Sequence, residues 1–192
     1  MTAHESFWNF SNRVYRKPHV SSTCLTLQSS YGLDVNLLLF SCWHAHTRGL
    51  FDAQMLRDAL AFSSMWADNV VRPLRSARTW MKTNTESAQS DSEVAEGFSQ
   101  LREQIKTLEL QCEQFQENML ESLVKTPVQM LSTEMTIAAA VYNLRYIIEA
   151  STLPLSSALT DSLAGLVLNV LDQADDEEIR HAIRKEFIQA MA

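Results

Sequence analysis

The sequence predicts an all-α protein, a helical bundle with a buried central helix and a second, long helix of heptad pattern. Three observations carry that prediction. From Val35 to Trp43 only Asn36 and Ser41 interrupt an apolar run, and Asp34 stands before it as a good N-cap. A run that leaves no face for water must be buried on every side, and its leucine content and the stop at Gly49 argue for helix over strand. The second observation is the recurrence of Val94, Phe98, Leu101, Ile105, Leu108, Cys112, Phe115 and Met119 at steps of 4-3-4-3-4-3-4, a sustained heptad seam. The third is composition: 192 residues, 46% of them apolar, contain only four glycines and four prolines, which suits few and short turns.

Each element has its own local reason. Phe7, Trp8, Phe10, Val14 and Tyr15 lie at helical spacing, and Pro18 ends that run. Ser21 or Ser22 is expected to cap a second helix with Val20, Cys24, Leu27 and Tyr31 inward, closed by Gly32. The central helix follows, and Asp52 caps a fourth that carries Met55, Leu56, Ala59, Leu60, Trp66 and Val70 inward. Pro73 then either kinks that helix or opens a new one in its first turn. In the new segment Leu74, Ala77 and Met81 form a narrow apolar arc, with Arg72, Arg75, Arg78 and Lys82 expected on the opposite side as a basic stripe.

Residues 1–82 thus read as a Trp-rich N-terminal helical unit and 83–92 as a polar linker; residues 93–192 read as the heptad helix plus C-terminal helices, packed as one core with or beside the first unit. The e and g positions beside the seam, Arg102, Gln104, Glu109, Gln111, Gln116 and Asn118, form no complementary charge code. That favours antiparallel packing inside the chain, against the C-terminal helices, with a homodimer through the heptad helix as the alternative. Three further helices are expected at about Thr133–Ala150, Ser156–Ala174 and Asp176–Ala190; Pro154 separates the first two, and acidic residues at the start of the third suit its dipole.

Charge divides the chain. Through Lys82 nine Lys and Arg face five Asp and Glu, a net +4; beyond it seven face eighteen, a net −11. An acidic C-terminal part argues against nucleic acid as a partner, because clustered basic residues supply most of that affinity. The apolar runs are too short to span a bilayer, which takes roughly 20 residues, and the first ten residues lack the pattern of a secretory signal. Three cysteines, an odd number in apolar surroundings, fit reduced thiols and a cytoplasmic setting.

The N-terminal pattern resembles an uncharacterised bacterial family, a domain of unknown function. The resemblance rests on Phe7-Trp8, Tyr15, Cys24-Leu25-x-Leu27-Gln28, Gly32-x-Asp34-Val35-Asn36-Leu37-Leu38-Leu39, Trp43, Trp66 and Val70-Val71-x-Pro73-Leu74-Arg75-x-x-Arg78. It is dense from Val20 to Arg78 and weaker through the heptad helix. Members commonly place glycine after the proline of the first turn, where this chain has His19. The resemblance implies a small helical cytosolic protein and brings no catalytic residue with it.

No local motif assigns a catalytic residue, a cofactor or a metal. In Cys42-Trp43-His44-Ala45-His46 the two histidines point about 200° apart on a helix, so they cannot share one ion. Glu178-x-x-His181 has no second Glu-x-x-His to complete a di-metal bundle, and the glycines are too scattered for a phosphate loop. Two constellations remain. Arg72, Arg75, Arg78 and Lys82 suit an acidic protein partner, or else a solvated or intramolecular role. Asp34, Asn36, Gln28 and Trp43, with Arg75 nearby, are either structural caps and ties or a small polar pocket. The reading preferred on sequence is a non-enzymatic interaction or adaptor module that uses the basic stripe and the heptad seam. The alternative is a small-ligand-binding protein or enzyme with the polar pocket.

Overall fold

The computed structural model describes residues 5–84, 92–171 and 175–189; of the expected linker, residues 85–91 lie outside the described residues. Among the described residues the regular structure is helical, with no strand. The order is α1 (Phe7–Tyr15), α2 (Val20–Tyr31), α3 (Val35–Arg48), α4 (Ala53–Trp66), a π-turn (Ala67–Val71), α5 (Arg72–Thr83), α6 (Ser92–Ser122), α7 (Thr133–Ala150), α8 (Ser157–Val170) and α9 (Asp176–Gln189).

The central helix is α3, and the chain wraps it. Asp34 caps it by accepting from the backbone N–H groups of Asn36 and Leu37, and every residue from Leu37 to Ala45 is buried. Phe7 of α1 reaches Phe40 and Trp43 with ring centroids 5.5 and 5.4 Å apart, and Phe51 stacks on Phe40 at 5.6 Å. Burial of each such aromatic side chain contributes roughly 1.5–3 kcal/mol, which makes this cluster the strongest single tie between α1 and α3. On the other flank α3 packs along α7, where the buried amide of Asn143 accepts from the Phe51 N–H and donates to the carbonyl of Gly49. One buried cluster joins Phe7, Trp43, Leu120, Leu144, Leu163 and Phe187, so the last three helices share the core of the N-terminal unit.

Two local outcomes differ from expectation, and a third settles an open alternative. Helix α2 begins at Val20 behind His19, not at a serine cap, and His19 takes φ 67°, the left-handed region that glycine prefers. Pro73 stands in the first turn of α5, one of the two expected alternatives, although α5 follows α4 without a break. Proline offers no N–H to the carbonyl four residues back, and a π-turn over Ala67–Val71 absorbs the mismatch, so α4 and α5 run on as one path. The largest difference concerns α6, which does not pack against the C-terminal helices. It lies antiparallel to α5 and against α1, α3 and α4, held partly by the Trp66 indole N–H on the Cys112 carbonyl at 3.0 Å. The heptad seam is split: Val94, Leu101, Leu108 and Phe115 are each about half exposed and Phe98, Ile105, Cys112 and Met119 are half-buried, while Glu109, Gln116, Glu117 and Leu120 are buried.

Candidate functional site

The inward face of α6 is a polar one, and its order comes from a spacing of four. Glu109, Glu113, Glu117 and Glu121 succeed one another a little over a turn apart and so share one stripe. Each meets a different element. Glu121 accepts from the Phe7 N–H at the start of α1, at 2.9 Å, where the helix dipole favours an anion. Glu117 lies against the Ser11 hydroxyl at 2.8 Å. Glu113 and Glu109 accept from Arg75 of α5, at 2.5 and 2.7 Å, and Glu109 also accepts from Arg78 at 2.5 Å. The Gln28 amide, turned so that its oxygen faces α5, accepts from Arg75 as well.

Gln116 occupies the neighbouring position on the same face and ties the helix to the cap of α3. Its amide nitrogen donates to Asp34 at 2.6 Å and to the Ser63 hydroxyl at 3.1 Å, and its oxygen accepts from Asn36 at 2.9 Å. Asp34, Asn36, Gln116 and Ser63 therefore satisfy one another in a place where an unpaired polar group would be costly. Above this network the helices leave two adjoining hollows of about 370 and 380 Å³. Gln28, Val35, Asn36, Arg75 and Glu113 line both of them. The first continues along Trp8, Ser11, Asn12 and Tyr15 of α1 to Glu117; the second passes Asp34 toward the π-turn at Ala67 and Val71. Together they form a cleft with walls from α1, α2, α3 and α5 and a floor from α6.

The carboxyls of this cleft are not alike. Glu109, gripped by two guanidinium groups, is held below the usual carboxylate range despite its burial. Burial raises Glu113 in spite of Arg75, and raises Asp34 in spite of the hydrogen bonds it accepts. Glu117 is pushed up to about 8 by burial, with Glu113, Asp34 and Glu121 adding like charge. The Ser11 hydroxyl is also 3.2 Å from the Trp8 carbonyl. A single hydroxyl proton serves only one of two acceptors, so a protonated Glu117 that donates to Ser11, which donates to Trp8, satisfies the whole chain.

Of the residues singled out on sequence, Gln28, Asp34, Asn36 and Arg75 come together in the cleft. Trp43 does not: it is fully buried beside Phe7 and Phe40, and its indole N–H donates to the Glu5 carbonyl at 3.1 Å, so the expected pocket beside Trp43 is corrected to one beside Gln116 and Glu113. The basic stripe is not turned away from the apolar arc. At 100° per residue Arg78 stands only about 40° from Leu74, and both Arg75 and Arg78 are drawn against α6, while Arg72 pairs with Asp68. Lys82, at the far end of α5, does not line the cleft. Sequence reasoning misses Ser11, Glu109, Glu113, Gln116 and Glu117. The signal for the glutamates is the four-residue carboxylate stripe, which the stronger apolar seam beside it masks. Among the described residues no three His, Cys, Asp or Glu side chains are grouped to hold a metal ion, and no helix is long and apolar enough to cross a membrane.

No curated protein and no solved structure matches the chain. A family model described as a protein of unknown function (DUF2390) matches residues 6–120, the span from the start of α1 almost to the end of α6 that contains every residue lining the cleft. The chain belongs to that family of proteins of unknown function.

Proposed function

We propose that this protein binds a small polar molecule in the cleft over α6. The observation that carries the reading is convergence: Gln28, Asn36, Arg75 and Glu117, from four different helices, meet at one hollow large enough for a metabolite. The strings that carry the family resemblance supply much of its wall, among them Trp8, Tyr15, Gln28, Asn36, Arg75 and Arg78. A π-turn borders it, a feature frequent at functional sites because it re-aims side chains within a helix. The adaptor reading loses support to the same degree. Three of the four basic side chains offered to an acidic partner already hold carboxylates of this chain, and a partner would have to break those pairs. Cys24, Cys42 and Cys112 are free thiols, which fits a cytoplasmic binding protein.

Native mass spectrometry of the freshly purified full chain tests this. A discrete small mass retained by the protein and lost in Asn36→Leu is the expected result. A bare protein, whose Trp8 and α6 signals ignore a panel of small acids, amines and neutral polar molecules, overturns it.

A second reading has its own observation. The exposed rows of α6 carry Val94, Leu101 and Leu108, and Phe115 where it packs on Trp66 with half its surface exposed, flanked by Gly97, Gln104, Gln111 and Asn118, without one charge among them. In a two-fold interface a surface meets its own copy, so an uncharged apolar strip on an acidic chain is suited to pairing where the rest of the surface repels. Self-association through α6 is therefore proposed beside ligand binding, and the two are compatible.

A further inference from the structure

The cleft reading leaves the chemistry of its occupant open, and the ligand class inferred below from the charges of the cleft rests on that reading. Those charges do not offer themselves equally. Arg75 and Arg78 are matched to Glu109 and Glu113, and the Lys106 ammonium is paired with Glu103 at 3.1 Å, so an anionic ligand finds its cations already engaged. Glu117 is in the opposite position. Its residue is 4% exposed, it lines the first hollow, and among the described residues only Ser11 bonds it, through one carboxyl oxygen. The groups around it hold no partner for a negative charge. Glu113 and Glu121 flank it on α6, Asp34 faces it from the cap of α3, Ser11 faces it from α1, and Arg75 of α5, which lines the same hollow, is bound to Glu113. Among the described residues no cation pairs with this buried carboxyl, and it lines an open hollow.

We infer that the occupant is a small organic cation, a primary alkylammonium, whose nitrogen takes the Glu117 carboxyl while its carbon chain lies along Trp8 and Tyr15. The aromatic wall adds to the fit, because ring faces attract an ammonium and cover an alkyl chain. The proton balance is explicit. A protonated Glu117 gives its proton to the solvent, the ammonium keeps its own, and the N–H groups replace the lost O–H on Ser11 and the free oxygen. The cation thereby exchanges for a proton and brings no net charge into the cleft.

Calorimetric titration of the full chain with 1-aminobutane, a single ammonium on an alkyl chain, is the test. Buffers of different ionisation enthalpy should report release of about one proton per molecule bound at pH 7, and affinity should rise about tenfold per pH unit up to pH 7 and level off above pH 8. Glu117→Gln, which resembles the neutral acid in shape, should weaken binding by about tenfold or more. Should that variant fail to fold, proton release and the pH slope of the natural chain decide alone. Binding without proton release, or binding that Glu117→Gln leaves unchanged, overturns the cation. A cellular mass lost in Asn36→Leu, with no response to 1-aminobutane up to ~10 mM, also overturns it but leaves the cleft standing. Silence in both experiments overturns both.

Discussion

The amide of Gln116, in the middle of α6, donates to the helix-capping carboxylate of Asp34 across 2.6 Å. A residue from the longest helix thereby holds the first turn of the most buried one, and the same amide serves Asn36 and Ser63. Gln116→Leu keeps the volume and takes the amide away from the buried Ser63 and from the half-buried Asp34 and Asn36. It should destabilise the fold by about 2–4 kcal/mol, measured by urea unfolding. A loss below about 0.5 kcal/mol would mean that water replaces the amide at no cost.

Two buried groups should bound stability in pH from opposite sides. His44 is fully buried, its Nδ1 on the Gly49 carbonyl at 3.0 Å and its Nε2 without a partner among the described residues, and burial lowers it to about 4. The folded state therefore resists its protonation. The stability it contributes is present above about 6.5 and is lost as pH falls toward 4, at up to about 1.4 kcal/mol per unit. Glu117 works the other way. Raised from 4.5 to about 8, it contributes stability fully present below 4.5 and lost as pH rises through 8. From about pH 4.5 to 6.5 the two oppose one another, so thermal midpoints should stay level there and fall from about 6.5 to 8. His44→Phe, in which Asn143 still donates to Gly49, should leave midpoints that fall from about 4.5 to 8, and Glu117→Gln midpoints that rise from about 4 to 6.5 and then level off.

His19 holds a left-handed backbone, φ 67°, as the residue before α2, and its side chain caps nothing. Relief of that conformation favours glycine by more than the extra freedom glycine gives the unfolded chain. His19→Gly should raise stability by about 0.5–1 kcal/mol, and His19→Val, branched at Cβ, should lower it by more than that. Equal stability in all three chains would show that the turn relaxes to a negative φ.

The strip on α6 makes a prediction about mass. Sedimentation of the natural chain at about 100 μM should show a dimer, and the pair Leu101→Glu with Leu108→Glu should leave a monomer of unchanged helicity. Both leucines are about half exposed, so the substitutions place charge in water and not in the core. A natural chain that stays monomeric at that concentration removes the self-association reading and leaves the cleft untouched.

Sequence by itself determined the helices, because their causes are local. Asp34 and Asp52 cap α3 and α4, Gly32 ends α2 in a left-handed residue, and the run from Leu37 to Ala45 has no polar side to turn to water. It also placed Gln28, Asp34, Asn36 and Arg75 near the apolar centre, since polar side chains that close to a buried helix need partners. The orientation of α6 was decided only by the tertiary structure. Its apolar seam and its glutamate stripe lie side by side on one cylinder, and periodicity alone assigns the inside to the apolar one. Arg75 and Arg78 reverse that choice: two guanidinium groups on the facing helix make a carboxylate face the complementary one, and the seam is displaced to the rim. Pairing of charge between residues some 30–40 positions apart is a property of two helices together. Neither helix carries it in its own sequence, and the cleft exists because of it.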